Sequence, residues 1–230
     1  MAPRRRSTRA RAEPPSVDAR AWPSLDDLVG HVEAIARLRS ATLTGRLGHA
    51  MLITGPDRLG KTALALALAG ELLPRSSWPA DLATHPDVWL EDSEEEAIRI
   101  DRVRAGREPG SLQEFLSLRA YAGGRRVAVL ARTERLTEQA ANSLLKTIEE
   151  PPPDSHLLLT ARTPETLPDT IVSRCQRVTL APVASSAIET WLRDRHGIPA
   201  PTAAEAAELS AGRPGRALHL ARETDARAAE

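Results

Sequence analysis

The chain reads as an α/β domain, a parallel sheet covered by helices on both faces, followed by a small unit of three helices. Three observations predict this. Short apolar runs of strand length alternate with helical patterns, the signature of a sheet buried on both sides. A glycine-rich loop, Gly55-Pro-Asp-Arg-Leu-Gly-Lys61-Thr62, stands between one such run and a helix. After about residue 181 the strand patterns stop and only helical ones remain.

The elements follow in order. Leu25 to Leu43 has helical spacing, with Leu28, Val32, Ile35 and Leu38 on one side. His49 to Thr54 is a short buried strand entering the glycine loop, and Thr62 to Leu73 is an Ala/Leu helix leaving it. Val88-Trp-Leu predicts a strand, and Asp101 to about Leu118 a polar helical stretch interrupted at Pro109-Gly110. Arg126 to Ala131 and His156 to Thr160 are further strands, and between them Thr137 to Ile148 is a helix ended by Pro151-Pro-Pro. Arg177 to Leu180 is the last strand. Helices are predicted over Ser186 to Arg195, Thr202 to Leu209 and Pro214 to about Thr224, separated by Gly197-Ile-Pro and Gly212-Arg-Pro-Gly. The expected division is a tail over 1–22, the α/β domain over 23–181 and a helical lid over 182–230.

Composition narrows the class. At 230 residues with 41% hydrophobic content, the chain can hold one packed α/β domain and a small appendage. No apolar run is long enough to span a bilayer, and the arginine-rich start has no apolar stretch after it to act as a secretory signal, so no membrane partner and a cytoplasmic location are expected. One cysteine excludes a disulfide framework and a cysteine-based zinc cluster. Six arginines against Glu13 and Asp18 leave residues 1–20 at +4, and this Arg/Ala/Pro-rich segment has too little apolar surface to order itself. Contact with nucleic-acid phosphates and simple solvation are both open to it. The acidic run Glu91-Asp92-Ser-Glu-Glu-Glu96 reads as a solvated loop.

Only two of the 31 basic residues are lysines, Lys61 and Lys146, and each lies in a motif. In the glycine loop the backbone N–H groups and the helix N-terminus suit phosphate, Lys61 would neutralise its charge and Thr62 would hold Mg²⁺. Gly55, Gly60, Lys61 and Thr62 are therefore the candidate ligands of ATP or ADP; the alternative is a plain strand-turn-helix connection.

The motif Leu136-Thr-Glu-Gln-Ala-Ala-Asn142-Ser-Leu-Leu-Lys146-Thr-Ile-Glu-Glu-Pro-Pro152 follows, then Ser173-Arg-Cys175, with His85-Pro-Asp-Val88 upstream. Together with the P-loop these resemble bacterial DNA polymerase III clamp-loader subunits of the AAA+ class, over about residues 24 to 222. His85-Pro-Asp, Ala140-Ala-Asn and Ser210 to Leu218 are most similar to the delta-prime type, with the gamma and tau motor subunits second. The resemblance implies an AAA+ sheet and lid, and a place among motor and delta-type subunits that act on the sliding clamp and primer-template DNA.

Departures from the pattern set expectations. Active members carry Asp-Glu where Ala131 and Arg132 stand, so loss of a metal carboxylate and insertion of a cation disfavour hydrolysis. Glu134 is the nearest acid, three residues beyond Ala131, and would need a slipped register to serve. The lid arginine of the family falls at Gly215, with Arg216 one residue off. Arg58 and Leu59 are bulky where the loop needs small residues or positive φ. No zinc is expected, because the segment from Pro74 to Thr84 lacks the family's cysteines. His85 reads as a turn residue before Pro86, and Thr160 as a strand-end hydroxyl. Arg174, by resemblance, is an arginine finger supplied in trans to the ATP of a neighbouring subunit; otherwise it is an arginine pairing with local carboxylates. A collar domain, which the family adds after the lid, is not in this sequence, which puts firm pentamer assembly through a collar in doubt. The expected function is a non-hydrolysing clamp-loader subunit; the alternative is an ATP-hydrolysing motor subunit. A P-loop kinase or switch outside replication leaves the Lys146 and Arg174 motifs unexplained.

Overall fold

Strands β1 (Ala50–Thr54), β2 (Val88–Glu91), β3 (Arg126–Leu130), β4 (Ser155–Ala161) and β5 (Gln176–Thr179) form one parallel sheet in the order β2-β3-β4-β1-β5. The computed structural model describes residues 23–77, 84–106, 109–122 and 124–228. Every residue of β1, β3 and β4 is buried, which is why these segments read as unbroken apolar runs rather than alternating ones.

Side chains still alternate between the two faces. Met51, Ile53, Val127, Val129 and Leu158 pack under α1 (Val32–Leu43) and α2 (Lys61–Leu72). Ala50, Leu52, Ala128, Leu130, Leu157 and Leu159 pack under α3 (Ile100–Val103), α4 (Leu112–Ser117), α5 (Glu138–Glu149) and α6 (Asp169–Val172). Helix α2 is almost wholly buried from Leu64 to Gly70, as its Ala/Leu sequence suggests. Helix α5 is amphipathic instead: Ala140, Ala141, Leu144 and Ile148 face the sheet, and the Thr137 hydroxyl caps the helix by accepting from the Ala140 N–H at 3.3 Å. Each large aliphatic side chain buried here contributes about 1.5–3 kcal/mol.

Beyond the sheet, α7 (Ser185–His196), α8 (Ala200–Leu209) and α9 (Pro214–Ala228) enclose their own core of Ile188, Leu192, Ala203, Ala206, Ala217 and Ala221. Polar bonds tie this unit back. Trp191 Nε1–H donates to the Asp27 carbonyl at 2.9 Å, and Arg195 pairs with the Asp27 carboxylate at 3.2 Å.

Two expected elements differ. Leu25 to Leu43 is not one helix: a 3-10 turn over Leu25–Asp27, closed by a Ser24/Asp27 capping box, is followed by left-handed residues Gly30 and His31 before α1 begins. Packing requires glycine at the break, since a Cβ on Gly30 would stand 2.7 Å from the Val183 side chain at the entrance to the lid. The stretch from Asp101 to Leu118 is only two short helices, α3 and α4. The expected disordered tail lies outside the described residues.

Candidate functional site

Strand register places the site. Ile53 pairs with Thr160 and Leu130 with Leu159, so the loop after β1, the end of β3 and the end of β4 gather at the carboxyl edge of the sheet. Ligands of open α/β sheets bind at this edge. Gly55, Gly60, Lys61 and Thr62 are brought together here, as the sequence predicts.

The loop is built closely. At Gly55, φ is 146° and an added Cβ would stand 2.7 Å from the Leu180 carbonyl oxygen, so only glycine fits. Gly60, at φ 92°, opens α2 in the left-handed region with nothing within 4 Å of its missing Cβ, leaving the helix N-terminus open. Lys61 Nζ donates to the carbonyls of Gly55 at 2.8 Å and Pro56 at 2.9 Å, and lies 3.8 Å from the Asp57 carboxylate. Burial pushes the Lys61 ammonium below its ordinary range, while Asp57 and Glu134 oppose that shift and Arg162 adds to it. The expected cost is visible at Arg58 and not at Leu59. Arg58 takes φ 63°, and Leu59 is buried in the core beneath the loop.

The end of β3 carries no acid. Ala131 is buried, and its N–H donates to the Glu91 carbonyl at 2.8 Å. Arg132 is left-handed, at φ 53°, and its guanidinium reaches the Asp92 carboxylate at 2.8 Å and the carbonyls of Asp92 and Ser93. Its charge is therefore tied to the loop after β2. Of the acidic run, residues 92–96 form the expected exposed loop, whereas Glu91 closes β2, is buried and pairs with Arg102 at 2.6 Å. Thr160 accepts the Arg132 N–H at 3.1 Å, which employs its hydroxyl structurally.

Glu134 sits on the 3-10 turn Thr133–Arg135, one oxygen 3.8 Å from Arg162 Nε and the other buried without a hydrogen-bond partner. Arg162 in turn bonds Asp57 of the P-loop at 2.8 Å. Sequence reasoning missed Arg162 and Asp57, because neither belongs to a spacing rule and their meeting depends on β4 lying beside β1. The cradle's shape and Lys61 suit phosphate; the place where a metal carboxylate is required, at Ala131 and Arg132, does not suit a divalent cation. Among the described residues no group of three or more His, Cys, Asp or Glu is arranged to hold a metal ion.

Arg174 lies elsewhere. It precedes β5 by two residues, near the C-terminal end of α5, whereas the P-loop follows the last residue of β1, which pairs with Thr179 at the far end of β5. The five residues of β1 alone span about 16 Å at roughly 3.3 Å each. Arg174 Nη2 pairs with Glu149 at 2.8 Å and Nη1–H donates to the Thr170 carbonyl at 3.0 Å, with the side chain 42% exposed. Neighbouring Cys175 is buried in the core, its thiol pushed up to about 11 by burial.

His85 and Asp87 also acquire roles. The buried His85 ring accepts the Asp87 N–H at 3.0 Å through Nδ1, and the Asp87 carboxylate accepts the N–H groups of Tyr121 at 2.7 Å and Ala122 at 2.9 Å. The motif is a structural clasp.

Fold and loop together define a P-loop AAA+ domain with a helical lid. The fold is shared with the RuvB Holliday junction branch migration motor of Thermotoga maritima, at TM-score 0.60 and 20% identity over 87% of this chain and 63% of that one. It is shared also with a DNA polymerase III gamma subunit-related protein of the same organism, at TM-score 0.56 and 27% identity over 78% of this chain and 58% of that one. The profile of the family described as DNA polymerase III, delta subunit, matches residues 30–184. DNA polymerase III subunit delta′ of Pseudomonas aeruginosa is 36% identical over 187 residues, 75% of this chain and 55% of that protein; the Escherichia coli delta′ is 34% identical over 198 residues, 80% and 58%. The chain belongs to the DNA polymerase III delta′ family. It spans about half the length of these curated relatives. Subunit tau of Bacillus subtilis is 30% identical over 169 residues, 71% of this chain and 30% of that protein.

Proposed function

We propose that the chain serves a clamp loader as a non-hydrolysing subunit, presenting Arg174 to ATP bound by a neighbouring motor subunit. One observation carries this reading. Arg174 stands at the other end of the sheet from its own P-loop, exposed and held by Glu149 and Thr170, which supports a role at a site on another chain rather than at its own. An arginine supplied in trans stabilises charge on a transferring phosphoryl group.

The motor-subunit reading is weaker. In-line transfer requires a positioned metal and water, and β3 ends in a buried Ala131 and an Arg132 tied to Asp92. The P-loop then holds ATP or ADP as a resting ligand, with Gly55, Gly60, Lys61 and Thr62 as its cradle. Residues 23–181 act as the AAA+ domain and 182–230 as its lid. Partners are the gamma/tau-type motor and delta-type subunits, with the sliding clamp and primer-template DNA in the assembled complex, in the cytoplasm. No helix among the described residues is long and apolar enough to cross a membrane.

The test is a reconstituted loader with motor subunits, clamp and primed DNA. Arg174→Ala should abolish most of the stimulated ATP hydrolysis while the isolated chain releases no phosphate in a single turnover. An unchanged stimulated rate would remove Arg174 from the mechanism.

A further inference from the structure

Both partners of the Arg174–Glu149 pair are tied to one point in the chain, the dipeptide Gly48-His49 just before β1. Glu149 is the last residue of α5, where the end carbonyls have no partner within the helix. Pro151, Pro152 and Pro153 follow, and none has an N–H to give. The donor comes instead from His49, whose Nε2 lies 2.9 Å from the Ile148 carbonyl oxygen. A carbonyl only accepts, so Nε2 carries hydrogen and the ring donates. Glu149 is the next residue, and its carboxylate holds Arg174 at 2.8 Å.

The arginine's own segment is tied to the same place. Gln176, two residues beyond Arg174 at the start of β5, accepts the Gly48 N–H through Oε1 at 3.0 Å. The dipeptide is in turn fixed by β4: the His49 carbonyl accepts the Leu157 N–H at 2.7 Å, and the His156 ring donates through Nδ1 to the Gly48 carbonyl at 3.3 Å. One fixed point of the sheet therefore reaches α5 on one side and β5 on the other, and sets the separation of Glu149 and Arg174. His49 and Gln176 are both exposed residues, and hydrogen bonds open to water add little to stability, so what these two bonds chiefly fix is direction. A guanidinium that stabilises charge on a transferring phosphoryl group has to be held closely in place.

We propose that His49 is a positioning residue for Arg174, acting through Ile148 and Glu149, with Gln176 as the matching tie on the arginine's own segment. The inference rests on Arg174 serving ATP bound by a neighbouring chain. It adds the residues that aim the guanidinium, and it places them at the amino edge of the sheet, away from the P-loop.

The experiment is steady-state ATP hydrolysis by a reconstituted loader with motor subunits, clamp and primed DNA, with a thermal melt of each variant of the full chain alongside. His49→Ala should lower the stimulated kcat about tenfold and leave KM for ATP unchanged, because the arginine is misdirected rather than removed. His49→Gln, which keeps an N–H donor near the end of the side chain, should recover most of the rate, and Gln176→Ala should lower kcat by a smaller factor. Tm should fall by no more than about 2–4 °C in each, the scale of one lost hydrogen bond. In a chain that already carries Arg174→Ala, adding His49→Ala should change nothing further, since the group it positions is gone. If His49→Ala stays within twofold of wild type while Arg174→Ala loses its rate, His49 does not position the finger and the finger reading survives. If His49→Ala cuts the rate as steeply without Arg174 as with it, the bond serves the fold and the inference fails. If Arg174→Ala leaves the rate unchanged, both readings fail. Should His49→Ala melt below the assay temperature, Gln176→Ala takes its place in both comparisons.

Discussion

Arg174 and Glu149 form a 2.8 Å ion pair between the segment after α6 and the end of α5, with both side chains about two-fifths exposed. Thr170 takes a second guanidinium N–H, so the planar group is oriented before any partner arrives. Exposed pairs of this kind contribute less than about 1 kcal/mol to stability. Arg174→Ala and Glu149→Gln should therefore melt within a few degrees of wild type. In a reconstituted loader, Arg174→Ala should lower stimulated ATP hydrolysis by about a hundredfold or more. Glu149→Gln, which loosens the orientation but keeps the arginine, should lower kcat less and leave KM unchanged. A steady-state ATPase series on the two variants checks both.

Asp87 is a different case, being 1% exposed and accepting two backbone N–H groups, with Arg126 Nη2 3.8 Å away. Asp87→Asn replaces one of its two acceptor oxygens by a donor facing an N–H. The expected loss is about 1.5–3 kcal/mol, the scale for hydrogen bonds to a charged group. Urea unfolding should show a lower midpoint with an unchanged slope.

The two loop glycines should respond unequally. Gly55→Ala drives a methyl to within 2.7 Å of the Leu180 carbonyl at φ 146°, whereas Gly60→Ala meets no atom within 4 Å and has only its left-handed φ of 92° to strain it. Gly60→Ala should cost about 1–2 kcal/mol. Gly55→Ala should cost more, because backbone must shift to admit it. Parallel denaturation curves decide the order.

Stability should fall in mild acid. Burial holds the His156 ring below its ordinary 6.5, helped by Arg125 and His49 and opposed by its bond to the Gly48 carbonyl and by Asp154; burial likewise lowers His85, against the pull of Asp87. As pH falls the unfolded chain therefore takes up protons first. The contribution is complete above about 6.5 and is lost as pH drops below it. Melts from pH 8 to 5 should show a declining Tm, by about 2–4 °C for each kcal/mol lost, and His156→Gln should shallow the decline.

The strands were legible because burial on both faces forces unbroken apolar runs, as in Met51-Leu-Ile53 and Val127 to Leu130. Helix α5 was legible from its Thr137 cap and the proline after it. The run from Leu25 to Leu43 misled, since its apolar spacing is helical throughout while the chain turns left-handed at Gly30, where any Cβ would strike Val183, a residue 153 positions later. Arg132 misled in direction only: a cation was expected beside the site, and the left-handed turn sends it to Asp92.

By itself the sequence determined the class of domain, the phosphate loop and its lysine, and the loss of acids after β3, because each is a matter of residue type at fixed spacing along the chain. Tertiary structure alone decided that Arg162 and Asp57 meet over that loop, that Glu149 holds Arg174, and that Arg174 stands at the far end of the sheet from Lys61. The physical reason is strand order. Placing β4 and β5 on either side of β1 sets the distances between charges that no local pattern encodes, and at ranges of a few ångströms those distances decide what each charge can do.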